Sequence, residues 1–186
     1  MEADRLKWNQ RFSNKPNRPP RAPGFLADVC PEMSPGTVLD LASGDGAAAL
    51  YLAEKGFEVT AADISEVALG RLQVFADQRG LNIHTRVVDL DTPQQVQALG
   101  RFDNVVVFHF KPSQALWQLL PQLLVPGGQL VLSTFNMRHH RENGFSRRFC
   151  LAPEEWCNVH PALTLRYYRS VERDGDFMDD YLFVAG

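Results

Sequence analysis

A glycine-rich turn flanked by acids is the feature of this sequence most suited to chemistry. Asp40-Leu41-Ala42-Ser43-Gly44-Asp45-Gly46 follows a short apolar run and leads straight into a helical pattern. Gly44 and Gly46 remove side chains where a ligand would press on backbone, and they reach conformations closed to other residues. A helix starting near Gly46 aims its unpaired N–H groups at the same spot. Asp63 ends the next apolar run, seventeen residues after Gly46. A carboxylate there can accept two hydrogen bonds from the vicinal hydroxyls of a ribose. Asp89 ends the third run, in place to meet an adenine amino group. A ribose acceptor, a backbone-lined turn and an adenine edge together describe a nucleoside site. A side chain added at Gly46 is expected to fill the ligand's space and leave the fold nearly native.

Two kinds of nucleoside ligand compete for this pattern. Gly44 to Ala49 matches the G-x-G-x-x-[GA] dinucleotide fingerprint, which also wants an acid about twenty positions later. A pyrophosphate, however, favours a helix N-terminus free of negative charge, and Asp45 lies within the turn with Asp40 just before it. A nicotinamide oxidoreductase usually needs a further domain for its substrate, and 186 residues are expected to leave none. A cationic nucleoside explains the acids better. S-adenosylmethionine carries a sulfonium, an ammonium and a ribose, and no phosphate.

The elements that must position these residues alternate regularly. Strands are expected over Thr37–Leu41, after the Pro35-Gly36 turn, then over Phe57–Ala62, Leu81–Leu90, Phe102–Phe110 and Gln129–Phe135, the last after the Pro126-Gly127-Gly128 turn. Between them the pattern reads as helices. One runs from Gly46 to Lys55 with Leu50, Tyr51 and Ala53 inward. Another, capped by Ser65, buries Leu69, Leu72 and Phe75. A short one opens at Thr92-Pro93, and another covers Ser113–Leu124. Repeated strand-helix alternation implies right-handed crossovers and a doubly wound α/β sheet. Leu163–Val171 and Met178–Val184 break the rhythm, since only a short loop with Asp174-Gly175 separates them, the signature of an antiparallel hairpin. The expected architecture is a Rossmann-like sheet of seven strands, mostly parallel, with one antiparallel strand in a C-terminal hairpin.

Residues 1–23 read as a separate arm. They carry six basic residues (Arg5, Lys7, Arg11, Lys15, Arg18, Arg21) against Glu2 and Asp4, and Pro16, Pro19, Pro20 and Pro23 exclude a helix from their second half. A disordered tail seldom holds a Trp and a Phe, so a helix from about Ala3 to Phe12 is expected to dock Trp8 and Phe12 on the body formed by residues 24–186. The net charge of −3 and a pI near 5.9 argue against general affinity for nucleic acid or an anionic membrane. No apolar run reaches the ~20 residues that span a bilayer, and no secretory signal is expected. Cys30, Cys150 and Cys157 match no disulfide framework, which fits a cytoplasmic location.

The segments VLDLASGDG (38–46), AADIS (61–65), VVDLD (87–91), FDNVVVFHF (102–110) and LLVPGGQLVLSTF (123–135) resemble, in order and spacing, the successive motifs of class I S-adenosylmethionine-dependent methyltransferases. Among these the chain is most similar to the small tellurite-resistance-type enzymes, which open with a W-x-x-R-[FY] segment like Trp8–Phe12. The resemblance implies a position for each site residue. Asp40 would hold the turn, Ala42, Ser43, Gly44 and Gly46 would form its floor, and Asp63 would take the ribose. Ile64, Asp89 and Leu90 would border the adenine. Phe108 and His109 would flank the sulfonium, with His109 facing the acceptor as the candidate catalytic residue. Arg11 would pair with the cofactor carboxylate if the arm folds over. Ala42 departs from the family's usual glycine, and Lys111-Pro112 matches no acceptor-defining tetrapeptide.

The acceptor is a small molecule whose identity the motifs do not give. Arg138, His139, His140, Arg141, Arg147 and Arg148 follow the fifth strand on the cofactor edge, with Glu142 the one acid among them. They read either as a solvated loop or as a funnel for an anion, with Arg138 and Arg141 as substrate-binding candidates and a thiol or chalcogen oxyanion as the acceptor. Cys150, Cys157 and His160 fit no standard zinc spacing. Besides a methyltransferase, the alternatives are a nicotinamide oxidoreductase and a cofactor-binding protein without chemistry; the oligomeric state is left open.

Overall fold

Short apolar runs rich in Val and Leu make the strands, and the computed structural model, which describes residues 2–186, assembles them into one sheet. The described strands are β1 (Thr37–Leu41), β2 (Glu58–Asp63), β3 (Ile83–Val87), β4 (Phe102–Phe108), β5 (Leu124–Phe135), β6 (Leu163–Arg173) and β7 (Asp176–Ala185). Their spatial order is β3-β2-β1-β4-β5-β7-β6. β1 to β5 pair in parallel, and β7 runs antiparallel to both β5 and β6. The chain leaves β1 toward one edge and returns to β4 on the other side, so the order of connection reverses at the carboxyl ends of β1 and β4. In open α/β sheets that is where ligands bind.

Helices cover both faces. α1 (Glu2–Ser13), α2 (Gly24–Val29), α3 (Ala47–Glu54), α4 (Glu66–Gln78), α5 (Pro93–Gln97), α6 (Gln114–Trp117) and α7 (Met137–Asn143) account for the described α-helices. On one face Val38, Val59, Val106 and Val131 pack with Leu50, Leu52, Leu72 and Phe75 from α3 and α4. On the other, Leu39, Val105, Leu132 and Tyr181 pack with Trp117, Leu120 and Trp156. Trp117 and Trp156 meet edge to face at 5.1 Å, as core residues.

Several expectations shift in detail. Tyr51 and Ala53 are only half-buried, while Ala48, Ala49, Leu50 and Leu52 form the inward face of α3; a helix apolar on nearly every side carries no periodicity to select a face. The helix expected over Ser113–Leu124 stops at Trp117 and resumes as a 3-10 turn over Leu120–Leu123, because Pro121 has no N–H to continue the ladder. Pro126-Gly127-Gly128 is a bulge inside β5, where pairing jumps from Phe102↔Leu124 to Asn104↔Gln129. The hairpin turn is tighter than expected. Asp174 and Gly175 both take positive φ, 51° and 85°, the geometry that matches the twist of two antiparallel strands. Asp180 on β7 is fully buried, accepting from Ser133 Oγ at 2.7 Å and from Arg173 at 2.6 Å, which ties β5, β6 and β7 together.

Gly46 behaves differently from the sequence expectation. It caps α3 at φ 92°, and a Cβ there would run into Leu72 of α4, in the core and not in the ligand's space. Gly46→Ala is therefore expected to cost about 2–4 kcal/mol, from positive-φ strain and overpacking together, read as a lower urea midpoint. An unchanged midpoint would show that Leu72 moves aside without resistance.

Candidate active site

The turn between β1 and α3 is built on backbone that departs from ordinary φ. Gly44 (φ 54°) and Gly46 (φ 92°) are left-handed, and so is Ala42 at φ 55°. For Ala42 this is a strained conformation that a non-glycine residue seldom holds without surrounding constraint. His109, immediately after β4, is the second such residue, also at φ 55°. Two strained residues thus stand on neighbouring strands at the switch point.

The acids around the turn are held by backbone. Asp40 is 2% exposed and accepts from the Ala49 N–H at 3.0 Å. Burial pushes its pKa up to about 8, against that hydrogen bond and helped by nearby Asp63, so it is largely protonated at pH 7. Asp63 accepts from Gly44 N at 2.8 Å on one oxygen and from Ser65 N at 2.8 Å on the other. Burial raises its pKa too, opposed by these donors. The Ile64 N–H is a third backbone donor to this carboxylate, which leaves acceptor capacity for one further hydroxyl. Asp45 is buried as well, but faces Lys15 Nζ at 2.9 Å and Arg71 Nε at 3.3 Å. The two acids of the turn thus repel a pyrophosphate less than the sequence suggests, since burial favours the protonated form of Asp40 and Asp45 is matched by cations from elsewhere in the chain.

The arm lies on this site. Phe12 is buried with its ring over the turn, where a Cβ on Gly44 would stand 3.0 Å from Phe12 Cζ. Trp8 lies one helical turn back, 6.2 Å from Phe12 between ring centroids. Asn9 accepts from Ser65 Oγ at 2.7 Å and donates to Glu66 at 3.1 Å, pinning α1 to the start of α4. Arg11 is exposed, its guanidinium 5.1 Å over the Trp8 ring. Ile64, Asp89 and Leu90 are half-buried at the ends of β2 and β3, and Asp89 accepts from Asp91 N at 3.0 Å. Phe108 is buried in the α3-α4 core, so its side chain supports the floor. Ser43 Oγ is buried and finds no hydrogen-bond partner among the described residues, an orphan that a polar ligand end at the turn would satisfy.

Beyond β4 and β5 the wall is aromatic. His109 lies 5.4 Å from Phe135, and Phe135 stacks on His139 at 4.3 Å and meets Phe145 at 4.7 Å. His109 is surrounded closely enough that desolvation lowers its pKa, against the pull of Asp176, while solvent still reaches the ring. The lowered pKa keeps the imidazole neutral at pH 7.

The basic stretch is divided between α7, which holds Arg138–Arg141 and is capped by Asn136, whose side chain accepts from Arg138 N and His139 N, and a 3-10 turn at Arg147–Phe149. Its two histidines are used internally. His139 is buried and accepts from Phe177 N at 3.3 Å, and His140 Nδ1 lies 2.6 Å from the Phe145 carbonyl. Arg138 stacks 4.1 Å over Phe177 and pairs with Glu142 at 3.9 Å. Arg141, Arg147 and Arg148 are exposed. Lys15, Asn9 and Arg71 had no motif to mark them, because their pairing with the turn depends on how the arm folds back.

Two other clefts lie away from the turn. One of about 370 Å³ is lined by Lys111, Pro112, Trp117, Glu155 and Trp156, and one of about 230 Å³ by Phe25, Asp28, Tyr167 and Arg169.

Comparison with known proteins identifies the family and the fold. The family described as methyltransferase domain matches residues 10–168. Demethylmenaquinone methyltransferase of Thermus thermophilus is 36% identical over 115 residues, covering 58% of this chain and 51% of that protein. The probable S-adenosyl-L-methionine-dependent methyltransferase TehB of Haemophilus influenzae is 32% identical over 87 residues, 47% of this chain and 30% of that protein. The chain thus spans about half, or less, of the length of these relatives. The crystal structure of Haemophilus influenzae TehB superposes with a TM-score of 0.74 at 19% identity, covering 96% of this chain and 67% of that one, which shows a shared fold.

Two expectations follow from the strained, buried turn. Ala42→Gly should raise stability by about 0.5–1 kcal/mol, because relief of left-handed strain outweighs the entropy glycine adds to the unfolded chain; a lower denaturant midpoint would contradict it. For Asp40, the folded pKa near 8 lies above the ordinary 3.8, so between those values the folded state holds a proton that the unfolded state has lost. Its contribution is complete below about pH 4 and disappears as pH rises through about 8. The stability of Asp40→Asn relative to wild type should therefore increase from pH 5 to pH 8, and parallel pH profiles would mean that Asp40 is an ordinary carboxylate.

Proposed function

The chain belongs to the methyltransferase-domain family, and from that premise we propose that it transfers a methyl group from S-adenosylmethionine to a small acceptor. The observation that carries this reading is the strained turn at Ala42–Gly46, with Asp63 beside it, an orphan hydroxyl on its floor and an aromatic arm across its top. When bound, S-adenosylmethionine supplies a methyl group on a sulfonium, already a good leaving group. Asp63 and the end of β3 at Asp89-Leu90 hold the nucleoside, Ile64 borders the adenine, and Ser43 with the turn backbone receives the methionine end. Arg11, the exposed cation of α1, would pair with the carboxylate of the bound cofactor. The arm keeps water out. Holding the acceptor in line and dry supplies most of the acceleration in such a displacement.

His109 stands where the acceptor enters. As a neutral imidazole it takes the proton of an acceptor that arrives protonated, and it is dispensable for a thiolate or an oxyanion. The exposed Arg141, Arg147 and Arg148 support a small anionic acceptor, a thiol or an oxyanion of selenium or tellurium. Arg138 contributes less than its charge suggests, because Phe177 and Glu142 already engage it. A second reading, a planar aromatic acceptor with an ionisable hydroxyl, is favoured by the ring wall of His109, Phe135 and Phe145. The Thermus thermophilus relative is named for demethylmenaquinone. A reducing, cytoplasmic setting fits the cysteine content. No described helix is long and apolar enough to cross a membrane.

The test has two arms. S-adenosylmethionine and S-adenosylhomocysteine should raise the melting temperature, with NADH and NADPH inert; calorimetry showing the reverse would sink the assignment. Labelled methyl transfer should then be measured on tellurite, on small anionic thiols and on hydroxylated quinones. Replacing Arg138 and Arg141 by Ala should lower kcat/KM for an anionic acceptor, with the loss shrinking as salt rises. Preference for the quinones, unaffected by that double variant, would select the aromatic reading. Tight cofactor binding without turnover on any acceptor would point to a protein that binds and does no chemistry.

A further inference from the structure

Asp45 is the residue of the turn with no evident duty toward a ligand. Its carboxylate is nearly wholly buried and lies between two cations from distant parts of the chain. Lys15 Nζ stands 2.9 and 3.1 Å from its two oxygens and also 4.8 Å over the Phe12 ring. Arg71 of α4 donates to Asp45 at 3.3 Å and, through its other nitrogens, to the carbonyls of Pro16 at 2.8 Å and Lys15 at 3.4 Å. One guanidinium therefore grips both the acid in the turn and the backbone of the arm. Charge-assisted contacts to a buried carboxylate are strong and poorly screened.

The rest of the arm is held lightly. Among its described residues only Phe12 and Pro23 are buried, and Leu6 is 59% exposed. The polar contacts of Asn9 and Arg5 with Glu66 lie at the surface. A segment with few apolar contacts opens at far lower cost than the core behind it. Its resting position then depends on the Asn9–Ser65 contact at 2.7 Å and on the three charges at its end, where Lys15 sits between the last turn of α1 and the first proline.

We propose that Lys15, Asp45 and Arg71 form a latch that closes the arm over the glycine turn and sets the residence time of the methyl donor beneath it. They are positioning residues, acting through Phe12, Trp8 and Arg11. The proposal rests on the reading that the turn binds S-adenosylmethionine.

The test uses the full chain and S-adenosylhomocysteine as the probe. In Lys15→Ala, amides of residues 2–13 should exchange about tenfold faster, the scale of one hydrogen bond to a charged group, while the global melting temperature stays close to wild type. The dissociation rate of S-adenosylhomocysteine should rise by a similar factor, and Lys15→Arg should restore both. Unchanged exchange of the arm in Lys15→Ala would overturn the latch, and so would a loosened arm with an unchanged dissociation rate. If wild type binds no S-adenosylhomocysteine, the functional reading fails, and arm exchange alone still decides whether the three charges hold the arm.

Discussion

The carboxylate of Asp63 is the joint on which the site turns. One oxygen holds the N–H of Gly44 and the other the N–H of Ser65, so a single side chain at the end of β2 fixes both the glycine turn and the start of α4. Ser65 in turn caps α4 by accepting from Ala68 N, and its hydroxyl donates to Asn9 of the arm. Gly44, held at positive φ, leaves its missing side chain as the seat for Phe12. Remove the carboxylate and turn, cap and arm lose their common reference. The same residue is proposed to meet the ribose, so binding and architecture converge on one group. Burial raises its pKa while the backbone donors oppose that rise. A buried carboxylate is tolerable only when its lone pairs are met in this way.

Around this joint the turn is kept under tension and nearly free of exposed negative charge. Ala42 and His109 hold left-handed backbone at the ends of adjacent strands. Asp40 is largely protonated, and Asp45 is matched by Lys15 and Arg71. An open, acidic turn drawing in a cation is thus not what the chain builds. It builds a covered turn with satisfied acids, one unmet hydroxyl on Ser43, and a lid that is itself basic. Under the proposed function, selectivity for S-adenosylmethionine would then rest on shape and hydrogen bonding at the turn more than on bulk charge.

The succession of strands, turns and helices was legible because its signals are local. Val-rich runs ending in Asp40, Asp63 and Asp89, with glycines between, carry strand, turn and helix within a few residues of each other. Ser65 as a cap and Asp174-Gly175 as a hairpin turn are equally local signals. What escaped was set by contacts far apart in sequence. The partner of Gly46 is Leu72, not a ligand, and nothing near Gly46 announces it. His139 and His140 looked like free charges beside four arginines, yet β7 and the Phe145 segment enclose them. Apolar α3 hid its inward face for want of a polar one. The arm's helix was readable from its aromatics, whereas its anchors, Asn9 to Ser65 and Lys15 to Asp45, exist only once the chain has closed on itself.

Besides the turn, a small molecule has other places to bind, among them the cleft beside Lys111 and Trp156 and the cleft between Phe25 and Arg169. Backbone amide shifts recorded while S-adenosylhomocysteine is titrated into the full chain distinguish them in one experiment. The account predicts that the largest shifts fall together on residues 42–46, 63–65 and 89–90, accompanied by the indole N–H of Trp8. Shifts concentrated at either of the other clefts, with the turn and the arm unmoved, would contradict it.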